Sequence, residues 1–342
     1  MRVLVTGHDG YIGRRLVPLF RRAGHDVVGL DSMLFEGCSF GSDDQGPDCV
    51  IRKDVRTVTA ADLAGFDALV HLAAISNDPL GDLNPECTFE INHRATITLA
   101  RAAKAAGVTR FLYSSSCSLY GAHGDAYLDE SAAFNPVTAY GESKVRSEVD
   151  LHALADDSFS PTYLRNATAY GVSSRLRGDL VVNNLTGFAF TTGKVFLKSD
   201  GTSWRPLVHI EDISRAFLAV LEAPRHLVHD EAYNVGSTTE NYRVRDVAEL
   251  VGQVVPNSEV TLSDEAFNDL RNYRVNCDKL AKTLDFHPKW NVEDGIRELY
   301  AAYQAAALTL EDLEGSRYMR IKRVGELLAS GKISADLRWV DR

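Results

Sequence analysis

The chain has 342 residues, 45% of them hydrophobic, with 47 acidic against 37 basic side chains and a net charge of −10. Length and apolar share suit one large or two smaller globular domains, and the acidic balance provides no general field for nucleic acid. Five cysteines (Cys38, Cys49, Cys87, Cys117, Cys277) are odd in number and form no CxxC pair, which points to reduced thiols in a cytosol and to no metal site.

In chain order, "RVLV" is a short apolar strand that runs into a glycine loop, with no signal peptide ahead of it. "YIGRRLVPLFRRAG" follows with helical spacing, Ile12, Leu16, Leu19 and Phe20 sharing a face; Pro18 is expected to kink it and Gly24 to cap it. "DVVGLD" is a second strand, and "FEGCSFGSDDQGPD" has no period and reads as a loop. "CVIRKDV" and "ALVHLAA" are strands three and four, "NHRATITLARAAKAAG" a helix, and "RFLYSSS" a fifth strand. "AYGESKVRSEVDLHALA" is a helix and "PTYLRNA" a sixth strand. Strand–helix alternation predicts an α/β fold: a doubly wound parallel sheet of Rossmann type.

After Gly171 the alternation weakens. "SSRLRGDLVVNNLTGFAF" and "LRNYRVNCDKLAKTLDFHPKWNVEDGIRELYAAY" read as helices with short strands, and "WRPLVHIEDISRAFLAVLEA" and "EAYNVGS" are expected to return to the sheet. The expected division is a dinucleotide domain of residues 1–171 plus about 206–236, and a smaller, mostly helical substrate domain of about 172–205 plus 237–342. The charged tail from about Leu310 is expected to pack on the outside. No apolar run approaches the roughly 20 residues of a membrane span.

Gly7, Gly10 and Gly13, three apart, stand at the junction of a strand and a helix, where free N–H groups and the helix dipole favour a pyrophosphate. Asp31 ends the second strand, 18 residues after Gly13. Its carboxylate suits the adenosine ribose and repels a 2′-phosphate, favouring NAD over NADP. Tyr140 and Lys144, four apart, share a helix face. A phenol of pKa about 10 is a poor base near neutrality unless a nearby cation favours its anion, and an ammonium four residues on can do so. The hydroxyls of "YSSSCSLYG" end the fifth strand, where doubly wound sheets bind ligands.

GxxGxxG, Asp31, Asp54 in "KDV", "HLAA", Asn92, the serine strand, YxxxK and "RPLVHIED" occur in an order that resembles the extended short-chain dehydrogenase/reductase family, specifically its nucleotide-sugar epimerases and dehydratases, over about residues 1–300. The resemblance implies that Gly7, Gly10, Tyr11, Ile12, Gly13, Asp31, Asp54 and Val55 hold NAD, with Asp54 near the adenine. It implies that Leu72, Ala73 and Ala74 line the dinucleotide and that Asn92 supports the catalytic lysine through its helix. Ser116 matches the active-site serine, Tyr140 the base and Lys144 its ribose-binding partner. For the substrate, "NNL" (Asn183, Asn184, Leu185) and Arg205 match diphosphate contacts, Val195, Phe196 and Leu197 would flank the base, and Asp269 and Arg271 would meet ribose or phosphates. A homodimer is the implied assembly.

The residues after Ser116 bear on the reaction. Family dehydratases carry "TDEVYG" there and uronate decarboxylases a glutamate, whereas this chain has Cys117 and Ser118. Epimerases with a catalytic cysteine place it two residues before the motif's tyrosine; Cys117 is three before Tyr120 and reads as core. Hydride transfer at sugar C4 remains, hence 4-epimerisation of UDP-glucuronic acid or a UDP-hexose. Thr168, where the family often has asparagine, together with Ser116, Ser118 and Arg175, resembles epimerases acting on UDP-glucuronic acid, and Leu207 stands where UDP-galactose epimerases commonly carry an aromatic residue. A 4-ketoreductase with released NADPH, or a non-catalytic NAD sensor, are the alternatives; Asp31 argues against the first and the intact YxxxK against the second.

Overall fold

The computed structural model describes residues 1–41, 46–76, 81, 84–267 and 271–340. Apolar runs form β1 (Arg2–Thr6), β2 (Asp26–Asp31), β3 (Cys49–Arg52), β4 (Ala68–His71) and β5 (Arg110–Ser116), followed by a sixth strand, Ser160–Asn166, and a seventh, Glu231–Val235. All seven pair in parallel, in the order seventh, sixth, β5, β4, β1, β2, β3. Chain order reverses between β1 and β4, which creates a crevice at the C-terminal strand ends.

The two-residue period of a strand sorts side chains onto two cores. Val3 and Val5 of β1 and Leu112 of β5 meet Leu16 and Phe20 of α1 (Gly13–Arg22) and Phe217 of the helix Ile210–Glu222. Leu4, Phe111 and Tyr113 point the other way, onto Leu99 and Ala100 of the helix Ala95–Ala105. Burial on both faces is why these strands read as unbroken apolar runs; each such Leu or Phe contributes about 1.5–3 kcal/mol. Pro18 lies inside α1, which continues through it to Arg22.

The expectation that both "WRPLVHIED" and "EAYNVGS" rejoin the large sheet holds only for the second. Trp204–His209 pairs in parallel with Thr168–Tyr170 and antiparallel to Asn241–Arg243, in a separate three-stranded sheet. Its alternating residues belong to different cores: Val208 meets the first, while Leu207 joins Tyr170, Val182, Val247 and Ile296 in a further cluster. That cluster is closed by the helices Val181–Thr192, Val244–Val254 and Val292–Ala305.

The tail forms the helices Leu310–Glu314 and Arg320–Ala329, then a hairpin with a bridge between Ile333 and Trp339. The expectation of simple outside packing is corrected here. Val324, Leu327, Ile333 and Leu337 are buried with Ile75 and Cys87 of the N-terminal half. Helical spacing concealed this apolar face because its complement lies some 240 residues away in sequence.

Candidate active site

β1 ends at Thr6 and the chain turns at Gly7 with φ +73°. A Cβ at Gly7 would stand 2.7 Å from the backbone nitrogen of Ala73, and one at Gly13 would stand 2.5 Å from the carbonyl oxygens of Gly7 and His8. Close packing therefore imposes both glycines. Gly10 differs: a Cβ there would meet only the Gly7 carbonyl oxygen, at 3.1 Å, and otherwise open space. This bare backbone leads into α1, whose Arg14 and Leu16 N–H groups bond the Gly10 and Ile12 carbonyls, and the positive end of the helix dipole faces the loop. The cradle suits a pyrophosphate.

Asp31 closes β2. Its Oδ1 accepts from the Met33 N–H at 2.7 Å and its Oδ2 from the Asp9 N–H at 3.1 Å. Burial pushes its carboxyl up, against the pull of the Met33 N–H and the neighbouring His8. Leu72, Ala73 and Ala74 follow β4 as half-buried residues, with Val55 buried beyond them. Tyr11 is buried and donates to the Gly171 carbonyl at 2.7 Å. Asp54 caps its own short turn, and its carboxylate receives Arg56 Nη2 at 2.6 Å.

The helix Ala139–His152 starts at Thr138, whose Oγ1 accepts the Gly141 N–H at 3.1 Å. Gly141 lets this helix press onto the serine turn: a Cβ there would lie 2.9 Å from the Ser118 carbonyl oxygen. Lys144 is buried, donates to the Ser114 carbonyl at 2.7 Å, and stands 5.6 Å from the Tyr140 ring centre and 4.6 Å from that of Tyr113. Burial pulls its ammonium down to about 7, while Glu148 opposes the shift. Asn92 fixes the same helix: its Nδ2 donates to Ser143 Oγ at 3.2 Å, its carbonyl accepts from Ser147 Oγ at 3.0 Å, and its Oδ1 takes the Ile75 N–H at 2.8 Å. Ser116 ends β5 and donates to Ser118 Oγ at 3.0 Å. Cys117 is fully buried with its Sγ 3.1 Å from the Arg165 carbonyl oxygen, and burial pushes its thiol well up.

Several substrate-side expectations meet the geometry differently. Val195 and Leu197 point into the core while Phe196 between them is 37% exposed, so strand alternation turns only Phe196 of the three outward. Asn183 is buried against the Gly171 N–H and Tyr11, whereas half-buried Asn184 donates to the Gly178 carbonyl; Leu185 is core. Arg205 donates to the Trp204 carbonyl at 2.7 Å and to that of Arg271, which brings these two predicted arginines together. Thr168 is half-buried on its strand. Asp269 lies outside the described residues.

Arg175, expected near the sugar, lies against the glycine loop. Its Nη2 lies 3.0 and 3.1 Å from the two Asp9 oxygens and its Nη1 donates to Ser39 Oγ at 2.6 Å. The guanidinium is thus engaged at the glycine loop. Sequence reading missed this use because Asp9 and His8 stand at the variable positions of GxxGxxG. It also missed Arg177, which is buried, pairs with Asp179 at 2.7 Å and donates to the Ser76 carbonyl at 3.3 Å.

A parallel sheet of this order, with a glycine cradle after its first strand and a carboxylate at the end of its second, has the features of an NAD-binding enzyme. Residues 3–236 match the model of the NAD dependent epimerase/dehydratase family, and the chain belongs to it. It is 27% identical over 309 residues to a UDP-glucose 4-epimerase of Mycolicibacterium smegmatis, covering 86% of this chain and 96% of that one. A UDP-glucose 4-epimerase of Corynebacterium glutamicum is 30% identical over 271 residues, 74% of this chain and 80% of that one. The structure of MoeE5 in complex with UDP-glucuronic acid and NAD superposes with a TM-score of 0.78 at 25% identity, over 90% of this chain and all of that one. NAD is the cofactor, and the glycine cradle and Asp31 fit it. Among the described residues no helix is long and apolar enough to cross a membrane.

Proposed function

We propose that the protein interconverts the C4 epimers of a nucleotide-diphosphate sugar, with a neutral UDP-hexose favoured over UDP-glucuronic acid. The observation that carries this reading is the buried Lys144, 5.6 Å from the Tyr140 ring, beside a serine turn with no carboxyl group at positions 117 and 118. An ammonium there favours the Tyr140 phenolate, which removes the proton from O4. Ser116 holds O4 by a hydrogen bond as it becomes a carbonyl oxygen. NAD held by the glycine cradle and Asp31 would supply the acceptor, and later the donor, of the C4 hydride. The 4-keto sugar turns over between these steps, and Tyr140 gives the proton back to O4. Dehydration needs an additional acid to expel the C6 hydroxyl; Cys117, buried with its thiol pushed up, and the neutral Ser118 do not supply one.

The engaged Arg175 bears on the sugar. Without it, Ser116, Ser118 and Thr168 are the groups proposed to meet the C6 substituent, and hydroxyls satisfy a hydroxymethyl at less desolvation cost than a carboxylate. The UDP-glucose 4-epimerase relatives support this preference. The MoeE5 complex with UDP-glucuronic acid supports the uronate as a second reading.

The test is incubation in deuterated water, without added reductant, with UDP-glucose and UDP-glucuronic acid separately. The expected product is the C4 epimer with no solvent deuterium on carbon, because the C4 hydrogen never leaves the site. A 4-keto-6-deoxy product carrying solvent deuterium at C5, or turnover only with added NADPH, would overturn the reading. Turnover of the uronate alone would overturn the sugar preference.

A further inference from the structure

We propose that the tail Arg320–Val340 is part of the NAD site: it bridges the two banks of the adenosine end and sets how slowly the cofactor leaves. A pyrophosphate on the glycine cradle and a ribose on Asp31 direct the adenine outward past the end of β2, toward β3. The loop after β2 is one bank. Trp339 Nε1 donates to the Ser32 carbonyl at 2.6 Å, one residue beyond Asp31. The Arg320 guanidinium lies 3.6 Å above the Phe35 ring centre, and Arg323 Nη2 donates to the Glu36 carbonyl at 3.3 Å. The turn after β3 and the segment after β4 form the other bank. Arg56 Nη1 donates to the Asp336 carbonyl at 2.7 Å, Arg338 Nη1 lies 3.9 Å from Asp54 Oδ2, and Asn84 Nδ2 donates to the Ala335 carbonyl at 3.3 Å.

The connection between the banks has an apolar core. Val324, Leu327, Ile333 and Leu337 are buried with Ile75 and Cys87, and Leu34, Phe35 and Trp339 pack against them. The tip is held in shape by its own bonds: Ser334 N–H to the Arg338 carbonyl at 2.8 Å, and Val340 N–H to the Lys332 carbonyl at 3.1 Å. The tail is therefore a preformed element seated on both banks, and spreading the banks to release an adenosine must break its contacts. The exposed ion pair of Arg338 adds little; the buried apolar face and the Trp339 bond carry the closure.

The test measures NAD, not turnover, and uses no sugar, so it stands or falls apart from the 4-epimerase reading. Full-length protein, a variant ending at Gly331, and Trp339→Ala are loaded with NAD. The loss of NAD into excess ADP-ribose is then followed by quantifying bound NAD after rapid desalting. Both variants should lose NAD at least tenfold faster than wild type, while their affinity for UDP stays within twofold. If the shortened protein or Trp339→Ala does not fold, judged by circular dichroism, Trp339→Phe takes its place. That variant keeps most of the packing, loses the bond to Ser32, and should lose NAD at least threefold faster. A folded variant that exchanges NAD at the wild-type rate overturns the proposal. So does a wild-type protein that exchanges NAD within seconds.

Discussion

Replacing Arg175 with alanine separates a role at the cofactor loop from a role at the sugar. The side chain makes four hydrogen bonds: three to Asp9, at 3.0, 3.1 and 3.3 Å, and one to Ser39 Oγ at 2.6 Å. Asp9 and Arg175 have side chains only 2% and 4% exposed. Removing one member of such a buried pair costs about 3–5 kcal/mol when the other is left bare. Asp9 keeps its contact with Arg14, so about 2–3 kcal/mol is expected. The same loop supplies the Asp9 N–H to Asp31, and loosening it should weaken NAD binding. Urea denaturation of the cofactor-free protein reads the first effect; kcat/KM on UDP-glucose and UDP-glucuronic acid reads the second. Both sugars should lose activity in the same proportion. A stability change below about 0.5 kcal/mol, small for a buried-pair deletion, together with a loss confined to the uronate, would refute this account and return Arg175 to the sugar.

Tyr140→Phe removes only the phenol oxygen and should keep fold and NAD while lowering kcat by about a hundredfold or more; near-wild-type turnover would exclude Tyr140 as the base. Asp31→Ala should weaken NAD and narrow its advantage over NADP, read by titrating both cofactors into stripped protein; unchanged NAD affinity would remove Asp31 from the site. His71 is buried between Thr6 Oγ1 at 2.6 Å and Thr96 Oγ1 at 2.8 Å, and burial, aided by Lys144, pulls its imidazole down to about 3. It stays neutral in the native state but binds a proton in the unfolded state below about pH 6.5, so stability falls as pH drops from there, by about 1.4 kcal/mol per unit. His71→Gln should reduce the slope of stability against pH between about 6 and 4.5 by that amount; a parallel slope in the variant would show that His71 titrates elsewhere.

What was legible in the sequence follows the range of the forces involved. β1 to β5 and the helices around them are set by local period, since a strand buried on both faces has few alternatives. The glycine loop, Asp31 and the Tyr140–Lys144 pair could be placed at a strand–helix junction, a strand end and one helix because each is a short-range pattern. Charge partnership was not legible. Arg175 and Asp9 are 166 residues apart, and nothing in either neighbourhood announces the other. The same holds for Trp204–His209, which was expected in the large sheet but joins another, because Leu207 and Val208 belong to different cores. The tail read only as a charged stretch, since the residues that bury its apolar face, Ile75, Cys87 and Phe35, reach it from three separate segments.

The positions of the tail and of the reacting groups together bear on how the reaction can run. Trp339 and Arg338 sit on the β2–β3 side of the sheet, whereas Ser116 ends β5 on the far side of the β1–β4 switch point. A sugar bound at β5, as proposed, would enter and leave without disturbing the adenosine end that the tail is proposed to close. That separation suits a reaction in which each sugar returns the hydride it gave, because the cofactor finishes every cycle in its starting state. A reductase would gain nothing from it, since its spent cofactor must depart each turnover and the closure would limit the rate. The two cases divide on one ratio, the NAD exit rate against kcat. If exit is slower than turnover by orders of magnitude, as the seated tail implies, net reduction of a sugar cannot be the working cycle. If exit keeps pace with turnover, the reductase alternative regains its standing.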